Sequence, residues 1–371
     1  MQDAPPFYIN NVLHQSIKQT KLMKKIVTFG EVMLRLSRPY KLRLSQGKVF
    51  DGNFGGSEAN VAVSLAMLDN HVEFVTRIPD NEVGRTCCKH LRGYGLSLQH
   101  VCIGGDRLGS YYFEEAASMR NSSVVYDRQD SSFFTIAPGM IPWREVFKDA
   151  AVFHCSGITC AVSKSAADAT MEAVQIAEEM GLTIVCDINY RKNLWKYGGN
   201  ATAVLKELAS HADIIFGDQG EYEVVSGMKR VPFEALSDDY QTDNATFQAY
   251  MEKVQEQLPK CKKLVMACRN QITSSHHTLT GFLYGDGKFT STRIYDINPV
   301  VDPMGVGDAF IAAYIHAWCH WGDDDQRGLD FALAASTLKN SVTGDFNLVS
   351  EAEILSVVDG TNSNDDFKEL Q

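Results

Sequence analysis

The chain has 371 residues, 44% hydrophobic and 22% charged, enough for one large α/β domain or two modest ones. A formal net charge of -11 argues against broad contact with nucleic acid or an anionic membrane. Nine cysteines, odd in number and without a CxxC pair, suit reduced thiols in a cytoplasmic protein better than a disulfide framework or zinc site, and no apolar run approaches the ~18 residues of a membrane span.

Residues 1–22 lack the apolar core of a signal peptide and read as an N-terminal extension, since "MKKIVTFGE" from Met23 looks like a natural start. "KKIVTFG" (24–30) is a short strand ending in glycine. "EANVAVSLAMLDN" (58–70) places Val61, Leu65 and Leu68 at helical spacing, and "HVEFVTRI" (71–78) returns to strand. "DNEVGRTCCKHLRGYG" opens on capping residues and closes on glycine, as a helix does. Strands follow at 151–157, 182–189, 213–217 and 262–268, with helices at 163–181 and near 200–210. This alternation predicts an α/β fold: a mostly parallel sheet flanked by helices. Residues 32–52 and 101–130 instead alternate polar and apolar, which predicts a small antiparallel sheet standing off the main domain. The polar stretch 231–246 reads as a surface insertion, and 351–371 as a C-terminal tail.

"VVDPMGVGDAF" (300–310) separates the strand-like "STRIYDINPVV" from the helical "GDAFIAAYIHAWCHW", where Phe310, Tyr314 and Ala317 share a face. In such sheets ligands bind at the carboxyl ends of strands, where helices begin. Gly305 and Gly307 let the backbone approach a ligand, and the first-turn amides lie at the positive end of the helix dipole. Asp308 there is either a helix cap or a general base that takes a hydroxyl proton while the amides stabilise a transferring phosphoryl group. The Walker pattern GxxxxGK[ST] is absent.

From about residue 24 to 345 the chain resembles the ribokinase-like carbohydrate kinases, the PfkB family. "DPMGVGDAF" is similar to that family's C-terminal D-x-x-G-x-G-D signature, and "GGSEANVAVSLAML" (55–68) to its N-terminal one. The resemblance implies a ribokinase-like domain over 23–350 with a β lid, phosphorylating a sugar with ATP and Mg2+. Within the family the likeness is to 2-keto-3-deoxygluconate kinases. It implies that Gly55, Gly56, Asn60, Tyr111, Tyr126, Arg128 and Arg191 hold the sugar, the last three from "VVYDR" (124–128) and "DINYRKNLW" (187–195). It also implies Asp308 as the catalytic base, with Gly305, Val306 and Gly307 cradling the phosphoryl group. Asp218, Glu221 and Arg269 would serve the nucleotide, Glu221 magnesium and Asp302 a potassium ion, though Asp302 serves equally well as a cap on its turn.

Arg128 and Arg191 suit a sugar acid, because a guanidinium fork on a carboxylate contributes roughly 1.5–3 kcal/mol per bond. Without the resemblance, the favoured reading is that Arg191 caps or salt-bridges its own loop and Arg128 is a solvated strand arginine. The departures are Asp218 in "DQGE" where the family has asparagine, Pro303, Met304 and Val306 within the signature, and a drifted "ACRNQITSSHHTLTG" (267–281) that keeps Arg269. His276 and His277 read as solvated loop residues. A fructokinase or other sugar kinase of the family, and a non-catalytic sugar-binding relative, remain alternatives. Exposed lid strands suggest a homodimer through the lid or a higher homo-oligomer.

Overall fold

The computed structural model describes residues 24–233 and 242–361. The extension at 1–22, the middle of the expected insertion and the last ten residues lie outside the described residues. Strands β1 (Lys25–Phe29), β2 (Met33–Ser37), β3 (Asp51–Gly55), β4 (Val72–Val75), β5 (Arg77–Ile78), β6 (Cys102–Ile103), β7 (Gly109–Glu114) and β8 (Ser123–Asp127) come first. Strands β9 (Ala150–Ser156), β10 (Thr183–Asp187), β11 (Ile214–Phe216), β12 (Lys263–Thr273), β13 (His276–Gly285), β14 (Lys288–Ser291) and β15 (Tyr295–Ile297) follow. Among the helices, α1 (Ser57–Met67), α2 (Gln219–Ser226), α3 (Val306–Trp321), α4 (Asp325–Lys339) and α5 (Glu351–Asp359) border the site or support it.

The large sheet runs β14-β13-β12-β11-β10-β9-β1-β4, with β15 added on β13. Every pairing from β4 to β12 is parallel, and those of β13 are antiparallel. Strands such as Ile214–Phe216 are buried on both sides because helices cover both faces, which is why they read as unbroken apolar runs. One face packs Val61, Phe74, Phe310, Tyr314 and Phe331, the other Phe29, Trp143, Phe153 and Phe282.

The lid is a four-stranded sheet, β3-β2-β7-β8. Its outer pairs are antiparallel, as its sequence pattern suggests, but β2 and β7 run parallel. The chain between them crosses through α1 and β4, and a long crossover permits parallel pairing. Its inner face carries Met33, Tyr111 and Phe113, with Met304 of the 302–305 loop packed against them. Met304, a departure from the usual small or polar residue, thus seats the lid on that loop. Helix α5 occupies the start of the expected tail, with a Ser350/Glu353 capping box and a buried Ile354. All nine cysteines are free, Cys87 and Cys88 included. No helix among the described residues is long and apolar enough to cross a membrane.

Glu58, in the first turn of α1, is 1% exposed and fastens that helix to the end of β9 and the turn after it. Its Oε1 accepts hydrogen bonds from Ser156 Oγ and Thr159 Oγ1, both at 2.6 Å. Burial raises its pKa from 4.5 to about 7, against the pull of those two hydroxyls. A carboxyl so raised contributes its full stability below pH 4.5 and loses it as pH rises through about 7. Glu58→Gln keeps an acceptor for both hydroxyls and cannot ionise. Its stability in urea should therefore gain on wild type between pH 5 and pH 8, approaching about 3 kcal/mol. A difference between the two proteins that does not change with pH would refute the buried-carboxyl account.

Candidate active site

The turn before α3 is shaped by Gly305, which has φ 77° in the left-handed region. A Cβ there would also collide with the backbone carbonyl of Asp345. Nothing lies within 4 Å of where a Gly307 Cβ would be, so this side of the turn is open. The amides of Val306, Gly307 and Asp308 form the helix's first turn, where no intrahelical acceptor exists. Val306 itself is anchored, its carbonyl accepting from Ser336 Oγ at 3.0 Å.

Asp308 does not cap its own helix; the N-cap is Gly305, without a side-chain bond. Its carboxylate reaches to α1, where Oδ2 accepts from Asn60 Nδ2 at 2.7 Å and Oδ1 from Ser57 Oγ at 3.3 Å. Burial raises its pKa to about 6, Asn60 and Arg191 pull it down, and Asp345 pushes it up. Such a carboxylate is ionised at neutral pH yet keeps a strong proton affinity, which suits general-base work.

At the carboxyl end of β10, Asp187 lies 9% exposed, its pKa pushed well above the carboxylate range by burial and then by Glu221 and Asp308. Asn189, at φ 39°, donates to Asp187 Oδ2 and to Ser57 Oγ. Asp218 and Glu221 form the capping box of α2, Asp218 Oδ1 accepting from Glu221 N at 2.8 Å and Glu221 Oε2 from Asp218 N at 2.9 Å. The other oxygen of Glu221 accepts from Tyr190 N at 2.8 Å, which fixes the loop carrying Arg191. Burial and Asp218 raise the Glu221 carboxyl. The Arg191 guanidinium makes no hydrogen bond or ion pair among the described residues, but its charge acts on Asp308, Asp187, Glu221 and Arg269. Arg269, on β12, lines a cavity of about 320 Å³ with His277, Ser274, Asn121, Ser122 and Pro303.

Several expected ligand groups are committed to protein partners. Tyr111 is buried and its hydroxyl donates to Asp345 Oδ1, so that hydroxyl is already taken. Arg128 is tied to Glu31, with Nε at 2.8 Å and Nη2 at 2.5 Å, leaving Nη1 without a partner among the described residues. Tyr126 remains exposed on β8, its ring 5.9 Å from that of Tyr111. The missing Cβ atoms of Gly55 and Gly56 make room first for Asp345 and for the carbonyl of Glu31. Asp302 does not fit a potassium ligand. Its Oδ1 accepts from Met304 N, and its Oδ2 from Gly344 N at 2.9 Å and Arg35 Nη2 at 2.8 Å, so amides and a guanidinium surround it. His277 is not solvated: it is 3% exposed on β13, neither ring nitrogen has a partner among the described residues, and burial and Arg269 lower its pKa to about 4. Its neighbour His276 pairs with Asp296 at 2.6 Å.

Glu31, Arg35, Ser57, Asp187, Asn189 and Asp345 escaped sequence reasoning. For Arg35 the signal was present, as a lone charge at an inward position of the apolar strand "MLRLS". Asp187 sits where strands of such sheets present ligands.

The family model for pfkB family carbohydrate kinases matches residues 23–351. The 2-dehydro-3-deoxygalactonokinase of Haloferax volcanii is 27% identical over 339 residues, 91% of this chain and 97% of that protein. The 2-dehydro-3-deoxygluconokinase of Thermoproteus tenax is 26% identical over 89% of this chain and 93% of its own. The crystal structure of 2-dehydro-3-deoxygluconokinase from Thermotoga maritima superposes with a TM-score of 0.84 at 34% identity, covering 91% of this chain and 98% of that one. With both glycine-bearing motifs meeting at Asp308 beneath a β lid, and with the family model spanning nearly the whole described chain, the protein belongs to the pfkB family of carbohydrate kinases.

Proposed function

We propose that the enzyme phosphorylates a primary hydroxyl of a small sugar acid with ATP, and that 2-keto-3-deoxygluconate is its substrate. The observation that carries the reaction is Asp308, ionisable near neutrality, held by Asn60 and Ser57 at the open amino end of α3. A hydroxyl placed against Asp308 would lose its proton as it attacks, while the Val306–Asp308 amides face the developing charge. The acidic substrate is supported by the uncommitted guanidinium of Arg191, by the free Nη1 of Arg128 and by the names of the relatives.

Magnesium would be held through water rather than by a dedicated cage. Among the described residues no group of three or more His, Cys, Asp or Glu is placed to hold a metal. Both oxygens of Glu221 already accept an amide, but Glu221 raises the proton affinity of Asp187 and Asp218 raises that of Glu221, a repulsion that a hydrated cation would relieve. Bound there, magnesium would neutralise charge on the nucleotide phosphates. The lid would exclude water from the sugar and suppress ATP hydrolysis. We also propose that two copies pair through their lids, since β8 leaves one edge of that sheet unpaired with Val125 and Tyr126 exposed on it. Sedimentation should give a dimer, and Val125→Lys should shift it towards monomer; a monomeric wild type would exclude the pairing.

A second reading of Arg191, as a group serving the transferring phosphoryl, is supported by its influence on Asp308 and Arg269. The two readings separate in Arg191→Ala. A carboxylate clamp predicts a loss of about ten- to hundred-fold in kcat/KM for the acidic sugar and a much smaller loss for a neutral one such as fructose. Equal losses on both would assign Arg191 to the phosphoryl group. Coupled ADP release against a panel of keto-deoxy acids and fructose is the direct test of the substrate.

For Asp308 as the base, kcat should fall about tenfold per pH unit once pH drops below about 6, because protonation removes the acceptor. Asp308→Asn should lower kcat by ~10²–10⁴-fold with both substrates bound within a few-fold. The same variant should melt close to wild type, since the amide oxygen keeps the bond from Asn60, the amide group donates to Ser57 Oγ in place of accepting from it, and the change sheds a charge that its surroundings disfavour. A folded variant retaining more than about a tenth of wild-type kcat would end the assignment.

A further inference from the structure

Arg35 lies at the centre of lid strand β2 with none of its surface exposed. Strand alternation points it inward with Met33 and Ser37, where an unpaired charge is costly. Its guanidinium bridges two carboxylates from different loops, with Nη1 3.0 Å from Asp345 Oδ2 and Nη2 2.8 Å from Asp302 Oδ2. It also stands 4.4 Å from the Phe113 ring centre and 3.8 Å from Glu115 Oε1. Both loops form the anion-binding turn. Asp302 begins the segment that ends at Gly305, and its carboxylate takes the amides of Met304 and Gly344. Asp345 presses its carbonyl against Gly305 and accepts the hydroxyl of the lid's Tyr111. Behind them, Lys339 Nζ donates to the carbonyls of Asp302 and Val342.

We propose that Arg35 is a positioning residue for phosphoryl transfer: from the lid, its guanidinium holds the Asp302 and Asp345 loops in the register that aims the Val306–Asp308 amides. The inference rests on the kinase reading of that turn. It makes the lid and the turn one mechanical unit, so that seating the lid over a sugar also sets the cradle for the phosphoryl group. It also places a resident cation beside Asp302, in the position the sequence suggested for potassium.

Arg35→Ala should lower kcat by roughly 10²-fold while KM for sugar and ATP stays within a few-fold, because a displaced turn misplaces reacting groups without removing a substrate contact. Added guanidinium ion should restore at least about tenfold of that kcat, since it fits between the two carboxylates left unpaired. Arg35→Lys, whose single ammonium cannot fork between two carboxylates, should fall between wild type and alanine, and it serves as the test where the alanine variant does not fold. Wild-type kcat should be equal in potassium and tetramethylammonium salts. The proposal is overturned by a folded lysine or alanine variant within threefold of wild-type kcat, by a loss confined to KM for the sugar, or by a wild type that potassium accelerates severalfold. A wild type that turns over no sugar with ATP would instead remove the kinase reading itself, before any variant is compared.

Discussion

The interaction on which this structure depends is the meeting of two helix amino termini, α1 and α3, through Asn60, Ser57 and the carboxylate of Asp308. Helix termini arrive with unpaired amides and positive dipole ends, so bringing two together makes a region that seeks negative charge. The chain supplies it in excess. Burial raises Glu58, Asp187, Glu221, Asp308 and Asp345, and several of them raise one another. Arg35, Arg191, Arg269 and Lys339 stand among these acids, and burial holds the Lys339 pKa down to about 8. The electrostatic strain is of the kind active sites retain, since it leaves one carboxylate with the proton affinity a base needs.

The topology explains why these groups converge. In a parallel sheet with alternating helices, every strand delivers its carboxyl end to the same edge, so Asp187, the 302–305 loop and the start of α1 arrive there from residues far apart in sequence. The lid adds what the sheet cannot. It carries inward polar side chains, Arg35, Tyr111 and Arg128, each clasped by an acid from the main body or its border: Asp302 and Asp345, Asp345, and Glu31. Paired charges thus help to seat the lid, whose own small apolar cluster is Met33, Tyr111 and Phe113 with Val124 and Met304, while Phe54 and Leu34 of its other face pack into the main core. Such pairs hold an orientation without making the closed position deeply stable.

The fold was legible because strands such as Ile214–Phe216 read as short unbroken apolar runs and helices such as Ser57–Met67 set Val61 and Leu65 at helical spacing. The parallel β2–β7 pairing was not, since alternation reports which faces are buried and says nothing of strand direction. Within the site, Asp308 and Asn60 stood out in short glycine-bearing motifs, and the structure joins them at 2.7 Å. Arg128, Tyr111 and Asp302 also stood out as ligand groups. What the sequence could not display was their partners, Glu31 at 97 residues' separation and Asp345 at 234. Residue type tells what a side chain can bind, and only the fold tells whether its partner is already inside the protein.

That distinction bears on Asp218, which stands where the family resemblance implies an asparagine. Its structural duty is to cap α2, and Asp and Asn cap about equally well, so the exchange costs the fold little. The cost is electrostatic instead. The extra charge lies beside Glu221 and is, after burial, the main reason that carboxyl is raised. Glu221 also grips Tyr190 N, so the same carboxylate that feels Asp218 holds the loop of Arg191. A cation drawn to the Asp218–Glu221 pair would relieve the repulsion and leave that grip intact, whereas protonation would remove the charge without adding any bond to the nucleotide. The substitution therefore adds negative charge beside Glu221 and leaves the capped architecture unchanged.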